Sequence, residues 1–202
     1  MRPKIIQLAV GPMMNFVYLV ADEEAKLCAA VDPGWDAAGI ADAANANGWR
    51  IEKILLTHAH FDHTGALDEL AGLTKAQVYV HRDDIGDIKQ PAIATEDGTA
   101  IAVGGVEIKC MHTPGHTPGS QCFLVDGSVL TGDTLFVDGC GRVDLPGGSP
   151  GKMIESLRRL AGLSHDIVVY PGHDYGNMPF ATIGELLKIN SYLRATNEEM
   201  LL

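Results

Sequence analysis

The chain has 202 residues, 46% hydrophobic and 20% charged, which suits one soluble domain spanning residues 1–202. Against 26 Asp and Glu stand 15 Lys and Arg, a net charge of −11 that argues against nucleic acid or an anionic membrane as partner. The early apolar run is broken by Gly11, Pro12 and Asn15 and nothing later approaches span length, so neither a secretion signal nor a membrane helix is expected and the cytoplasm is the expected compartment.

Residues 4–10, 15–20 and 27–31 read as three short strands, with a turn at Asp22-Glu23-Glu24 and a stop at Val31-Asp32-Pro33-Gly34. Ala-rich residues 37–47 read as a helix that Gly48 ends. Ile54 to Thr57 is a buried strand, His58 to His63 follow at its end, and a helix is expected from about Gly65 to Ala71. Gln77 to His81 is a further strand. Residues 82–98 are expected to be a polar, loop-rich insertion with a short helix. Strands follow at 100–104, 106–111, 120–125 and 128–131. Pro150 opens a helix reaching about Leu160, Ile167 to Tyr170 is a last strand, and a helix is expected over about 180–189. Strands then helices, twice over, imply two sheets packed face to face with helices outside. Cys28, Cys110, Cys122 and Cys140 are widely spaced, without a CxxC pair, and read as reduced thiols.

The chemistry concentrates in Thr57-His-Ala-His-Phe-Asp-His-Thr-Gly65, with three imidazoles and a carboxylate within six residues. His58 and His60 alternate with Ala59, so in extended backbone they share a face. The turn that follows aims Asp62 and His63 at a neighbouring point. Imidazole nitrogen and carboxylate oxygen are the ligands that borderline divalent ions prefer. Three more candidates each follow a predicted strand and a glycine: His116 in Thr113-Pro-Gly-His, Asp133 in Leu130-Thr-Gly-Asp, and His173 in Tyr170-Pro-Gly-His. His81, His112 and His165 match no ligand position.

Taken in order, these motifs resemble the HxHxDH signature and later ligands of the metallo-β-lactamase superfamily, over Asn15 to about Leu193. The resemblance implies an α/β class, four-layer αββα metallo-β-lactamase fold. It implies that His58, His60 and His116 bind one divalent ion and that Asp62, His63 and His173 bind a second. Asp133 would bridge the two, with Asp62 and Asp133 the catalytic carboxylates. Asp32 would lie behind the ligands and hydrogen-bond them. Zinc is the expected metal; iron and manganese suit the same ligands. Two such ions bring a shared water's pKa toward neutrality and polarise a carbonyl, which is the chemistry of acyl hydrolysis on a small-molecule substrate.

A finer resemblance is to the glyoxalase II branch, carried by Thr113-Pro-Gly-His-Thr-Pro-Gly119, Thr131-Gly-Asp-Thr-Leu-Phe-Val137 and Gly139-Cys-Gly-Arg142. It implies hydrolysis of S-acylglutathione-type thioesters, with Arg142 and Tyr175 contacting the thiol arm. A salt-bridged structural Arg142 and a core Tyr175 are the competing readings. Asp144 replaces that branch's aromatic. The branch's C-terminal helical domain, with further cationic contacts, has no counterpart here. Residues 182–193 instead resemble the tail of short stand-alone bacterial relatives. The alternative is a persulfide dioxygenase with a single Fe(II) on His58, His116 and Asp133, which the ending His173-Asp174-Tyr175 fits and Leu145-Pro146 does not.

Overall fold

Strand β2 (Asn15–Asp22) is buried along its whole length, which places it in the middle of a layered structure. Its alternate side chains serve two cores. Val17, Leu19 and Ala21 pack beneath helices, while Phe16, Tyr18 and Val20 face the other sheet. The computed structural model describes residues 2–195.

The first sheet runs β1 (Lys4–Val10), β2, β3 (Leu27–Val31), β4 (Arg50–Leu55), β5 (Gln77–His81) and β6 (Ala92–Thr95) in spatial order. Its first three strands are antiparallel and β3 to β6 are parallel. Helices α1 (Ala37–Ala46) and α3 (Leu67–Thr74) cover its outer face, burying Ile40, Ala44, Leu67 and Leu70. A single turn, α2 (Phe61–Thr64), interrupts the path between β4 and α3.

The second sheet has the order β12-β11-β10-β9-β8-β7. It comprises β7 (Ala100–Val103), β8 (Val106–His112), β9 (Gln121–Val125), β10 (Ser128–Gly132), β11 (Val168–Pro171) and the two-residue β12 (Ala181–Thr182). Only β10 and β11 pair in parallel. Helices α4 (Pro150–Ala161) and α5 (Ile183–Ile189) lie outside it, burying their own Met153, Leu157 and Leu186. Between the sheets lie Phe16, Val31 and Leu55 from one side and Ile108, Phe123 and Leu130 from the other. Each such fully buried apolar side chain contributes about 1.5–3 kcal/mol. The result is the αββα sandwich that the sequence implies. No helix among the described residues is long and apolar enough to cross a membrane.

Most elements fall where the sequence puts them, with differences that have local causes. The strand expected over 54–57 is β4, from Arg50 to Leu55, and the chain after it leaves the sheet to carry the histidines. The helix expected from Gly65 starts at Leu67, and the amide of Ala66 just before it donates outside the helix, to the carbonyl of Pro33 (3.0 Å). Within 82–98 a 3-10 turn (Ile85–Asp87) is joined by β6, an exposed edge strand with little alternating apolar pattern. The helix expected from 180 begins at Ile183, since Thr182 and Glu185 form a capping box there. The four cysteines are free, as expected, and burial pushes the Cys28, Cys110 and Cys140 thiols up to about 12.

Two glycines test this packing in opposite directions. A β-carbon on Gly34 would coincide with the backbone carbonyl oxygen of Asp62, whereas one on Gly72, inside α3, meets nothing within 4 Å. Gly72→Ala is expected to stabilise by about 0.5–1 kcal/mol and to raise Tm by roughly 2–4 °C. Gly34→Ala is expected to lower Tm and to displace the turn carrying Asp62 and His63. Thermal melts of the two variants decide the matter, and a neutral Gly34→Ala would show that the close approach is not structural.

Candidate metal centre

Every predicted ligand sits where a strand of one sheet ends against the other. His58, His60, Asp62 and His63 follow β4; Asp133 and His173 follow the parallel pair β10 and β11; His116 lies in the loop from β8 to β9. The two sheets are stitched together at this end. The amide of Phe16 donates to the carbonyl of Gly172 (2.8 Å), and that of Gln121 donates to the carbonyl of Thr57 (2.8 Å).

The structure brings all seven residues together. His58, His60 and His116 form one group, and Asp62, His63 and His173 another, each with donor atoms within 4.8 Å of one another. Asp133 lies between them. Its carboxylate is 3.3 Å from Nε2 of His63 and 3.5 Å from Nε2 of both His116 and His173.

The hydrogen bonds behind the imidazoles fix which nitrogen faces the centre. Thr57 donates its hydroxyl hydrogen to Oδ2 of Asp32 (2.6 Å), so its oxygen accepts from Nδ1 of His58 (3.0 Å). Nδ1 of His63 donates to Asp32 (3.1 Å), that of His116 to the carbonyl of Arg142 (2.8 Å), and that of His173 to the carbonyl of Met13 (2.9 Å). In each neutral ring the Nε2 lone pair therefore points inward. Nε2 of His58, Nε2 of His116 and Oδ1 of Asp133 are buried without a hydrogen-bond partner. Nε2 of His63 and His173 lie only 3.2 Å apart. Converging lone pairs and orphaned acceptors are costly unless a cation neutralises them, so the donor set fits divalent metal.

Electrostatics agree. Burial, with His63 adding to it, holds His58 well below the usual imidazole range, and burial likewise lowers His60. His63 is also buried, but Asp133 and Asp32 outweigh that and hold it well above. For His173, burial is opposed by Asp133 and Asp62, which leave it at about 9. Asp62 is brought to about 2 against its own burial by His173, His63 and Asn15.

Asp32 stands in left-handed backbone (φ 55) and accepts from the Thr57 amide (2.7 Å), the Thr57 hydroxyl and His63. Sequence reasoning missed two further supports. Asn15 donates to the carboxylate of Asp62 (3.0 Å) and accepts from the Trp35 indole (2.9 Å). Buried Asp84 accepts from Thr117 (2.7 Å), the Gly119 amide (2.6 Å) and the Ala59 amide (3.2 Å), tying the His116 loop to the first histidine motif. Neither carries a spacing signature; Asn15 is marked only as a polar residue opening an apolar strand, and Asp84 lies in a polar stretch that hides it. A further grouping, His81, Asp83 and His112, also has donor atoms in range. Its two rings are stacked at 3.9 Å with planes 8° apart, and the in-plane lone pairs of parallel rings do not converge on one ion.

The centre opens into a cavity of about 960 Å³ lined by Met13, Phe61, Arg142, Asp144 and Tyr175 among others. Tyr175 is not a core residue: it is 40% exposed and stacks on His173 at 4.7 Å. Arg142 is exposed too, and its guanidinium forms a bidentate pair with Asp144 (2.9 and 2.8 Å).

Comparison with known proteins matches this geometry. The family model of the metallo-beta-lactamase superfamily matches residues 10–173. A hydroxyacylglutathione hydrolase of Pseudomonas fluorescens is 41% identical over 184 residues, covering 88% of this chain and 69% of that protein. The probable polyketide biosynthesis zinc-dependent hydrolase BaeB of Bacillus velezensis is 35% identical over 189 residues, covering 92% and 84%. The crystal structure of ETHE1 from Myxococcus xanthus superposes with a TM-score of 0.90 at 28% identity, covering 98% of this chain and 88% of that one. With its αββα sandwich and the ligand motifs at the strand ends, the chain belongs to the metallo-beta-lactamase superfamily and is a metal-dependent enzyme of that family.

Proposed function

We propose that this chain is a binuclear metallohydrolase of thioesters of the S-acylglutathione type, with zinc as its metal. The observation that carries the binuclear reading is the position of Asp133, whose carboxylate stands between two three-residue groups and leaves Oδ1 without a partner. The identity to a hydroxyacylglutathione hydrolase supports the thioester class.

When bound, two divalent ions supply an acidified water and a Lewis acid for the acyl carbonyl. His58, His60 and His116 would hold one ion, Asp62, His63 and His173 the other, and Asp133, between the two groups, would balance their charge. Asp62, fixed by Asn15, would accept a hydrogen bond from the attacking water, orient it toward the carbonyl carbon and take up its proton for release to solvent. The C–O bond formed would replace the C–S bond, releasing carboxylate and thiolate. A thiolate leaves without prior protonation, so the reaction asks for no general acid beyond these groups. Tyr175, stacked on His173, forms one wall for the substrate. This places the chain on a small-molecule substrate; the acidity of the sequence suits neither nucleic acid nor membrane.

A second reading, a single-iron persulfide dioxygenase on His58, His116 and Asp133, is favoured by the His173-Asp174-Tyr175 ending. The two readings separate under nitrogen. Zinc- or manganese-loaded protein is expected to release free thiol from S-lactoylglutathione without oxygen. No anaerobic turnover with any metal, together with oxygen uptake on glutathione persulfide by iron-loaded protein, would establish the dioxygenase instead.

Elemental analysis is expected to give about two ions per chain, and Asp133→Asn to reduce metal content and turnover by roughly tenfold or more. Full metal and full turnover in that variant would remove Asp133 from the bridge.

Because metal displaces protons from imidazole, adding zinc to metal-free protein near neutral pH is expected to release protons. His173 titrates at about 9 without metal. Its share of the proton competition therefore weakens as pH rises toward 9, and apparent zinc affinity rises with it. Indicator-dye titrations showing no proton release, and an affinity independent of pH over that interval, would contradict the ligand assignment.

A further inference from the structure

The proposed function leaves the thiol arm of the substrate open, and the cavity mouth bears on it. Among the described residues that line the cavity, Arg142 is the only Lys or Arg. It is the cation that the sequence nominates for glutathione. Its guanidinium is already engaged, through Nε and one terminal nitrogen, by both carboxylate oxygens of Asp144, in fork-to-fork geometry. Both partners are exposed, 68% and 61%, so the pair adds little to stability. Its effect is on what reaches the cavity.

A carboxylate on an incoming ligand competes with an acceptor two residues away on the same chain, present at high effective concentration. The balance of charge points the same way. Outside the ligand set, the lining carries Asp138 and Asp144 against Arg142, a net charge of −1. Glutathione is itself net anionic, and outside the metal centre this lining offers it no unpaired cation.

A second observation concerns the apolar surface. Eight large hydrophobic side chains are exposed among the described residues, and three of them, Met13 (37%), Phe61 (66%) and Tyr175 (40%), line this one cavity. Clustered exposed apolar groups at a concave site mark a ligand surface. Phe61 is held edge-on by Trp35 at 6.4 Å, and Tyr175 by Phe136 at 5.1 Å, so both are presented as fixed walls.

We infer that Asp144 is a specificity-determining residue that keeps Arg142 from anionic thiol arms, and that the natural substrate is a thioester of an uncharged, amide-bearing or apolar thiol. This rests on the thioester reading of the site and replaces its glutathione arm. The metal centre, unchanged, attends to the acyl carbonyl.

The test uses the metal-loaded full chain and two acyl thioesters with the same acyl group, one of glutathione and one of N-acetylcysteamine, a neutral amide thiol. Wild-type protein is expected to show the higher kcat/KM on the neutral thioester. Asp144→Asn frees the guanidinium, and is expected to shift the ratio of the two kcat/KM values toward glutathione by about tenfold, mainly through KM, the scale of one gained charge-assisted contact. Binding of S-methylglutathione, which cannot be hydrolysed, provides a readout independent of turnover. It should be tighter in Asp144→Asn than in wild type, and the gain should vanish in Asp144→Asn combined with Arg142→Ala. Unchanged melting temperatures confirm that the variants fold, as the exposure of both residues leads one to expect. A wild-type preference for the glutathione thioester, or an Asp144→Asn variant with unchanged ratio and unchanged S-methylglutathione affinity, would overturn the inference. Failure of both thioesters to react would overturn the hydrolase reading instead, while the S-methylglutathione series would still decide the role of Asp144.

Discussion

The centre depends on one buried carboxylate, that of Asp32. It is held in left-handed backbone directly after β3, a conformation costly for a residue with a side chain. From there it takes the Thr57 amide and hydroxyl and Nδ1 of His63. Hydrogen bonds to an ionised group are roughly twice as strong as neutral ones, and a buried carboxylate deprived of them would be expensive. Through Thr57 the same carboxylate also sets the ring of His58. One side chain therefore locks the end of β4 to the end of β3 and orients one ligand of each metal group. Asn15 repeats the device for Asp62, and the carbonyls of Met13 and Arg142 for His173 and His116, while Asp84 holds the loop that carries His116.

That arrangement explains why the sandwich places its chemistry at this end. Strands of the two sheets terminate here against each other, so ligands from β4 on one side and from β10 and β11 on the other meet without long loops. Backbone donors at the strand ends find partners across the gap, as Phe16 does on Gly172 and Gln121 on Thr57. Fixed acceptors then choose the tautomer of His58, His63, His116 and His173 before any ion arrives, so ion binding would cost little reorganisation.

The sequence makes the ligands legible and hides their supports, for a physical reason. His58, His60, Asp62 and His63 are dense and local, and His116, Asp133 and His173 each follow a strand and a glycine. β7 and β8 alternate exposed and buried positions, and strands such as β2 and β3 read as short apolar runs, so these could be placed to within a few residues. Asp84 and Asn15 act across long separations, through a few hydrogen bonds to backbone and side chains of distant segments. No spacing encodes such contacts; an Asp in a polar stretch reads as a turn until its partners are seen. Strand β6 was hidden for a related reason: an exposed edge strand has one neighbour and no need of a second apolar face. The pairing of Arg142 with Asp144 was open in the sequence, where the two residues stand two apart on a strandless segment. Only side-chain direction settles it.

The surplus of acidic residues takes on a different meaning at the centre than over the surface. Asp62 and Asp133 face inward, and two divalent ions would bring more positive charge than these two carboxylates remove. The positive field for a developing oxyanion then comes from the ions, inside a buried and preorganised cage where such a field is strong. An enzyme that draws its catalytic charge from metal needs no arginine or lysine for the acyl carbonyl. Its one lining guanidinium is free to serve recognition, and a neighbouring carboxylate can silence it without touching the chemistry. In the proposed reading, catalysis and thiol selection would be carried by separate groups, the first buried and held by Asp32, the second exposed on the segment after Gly141.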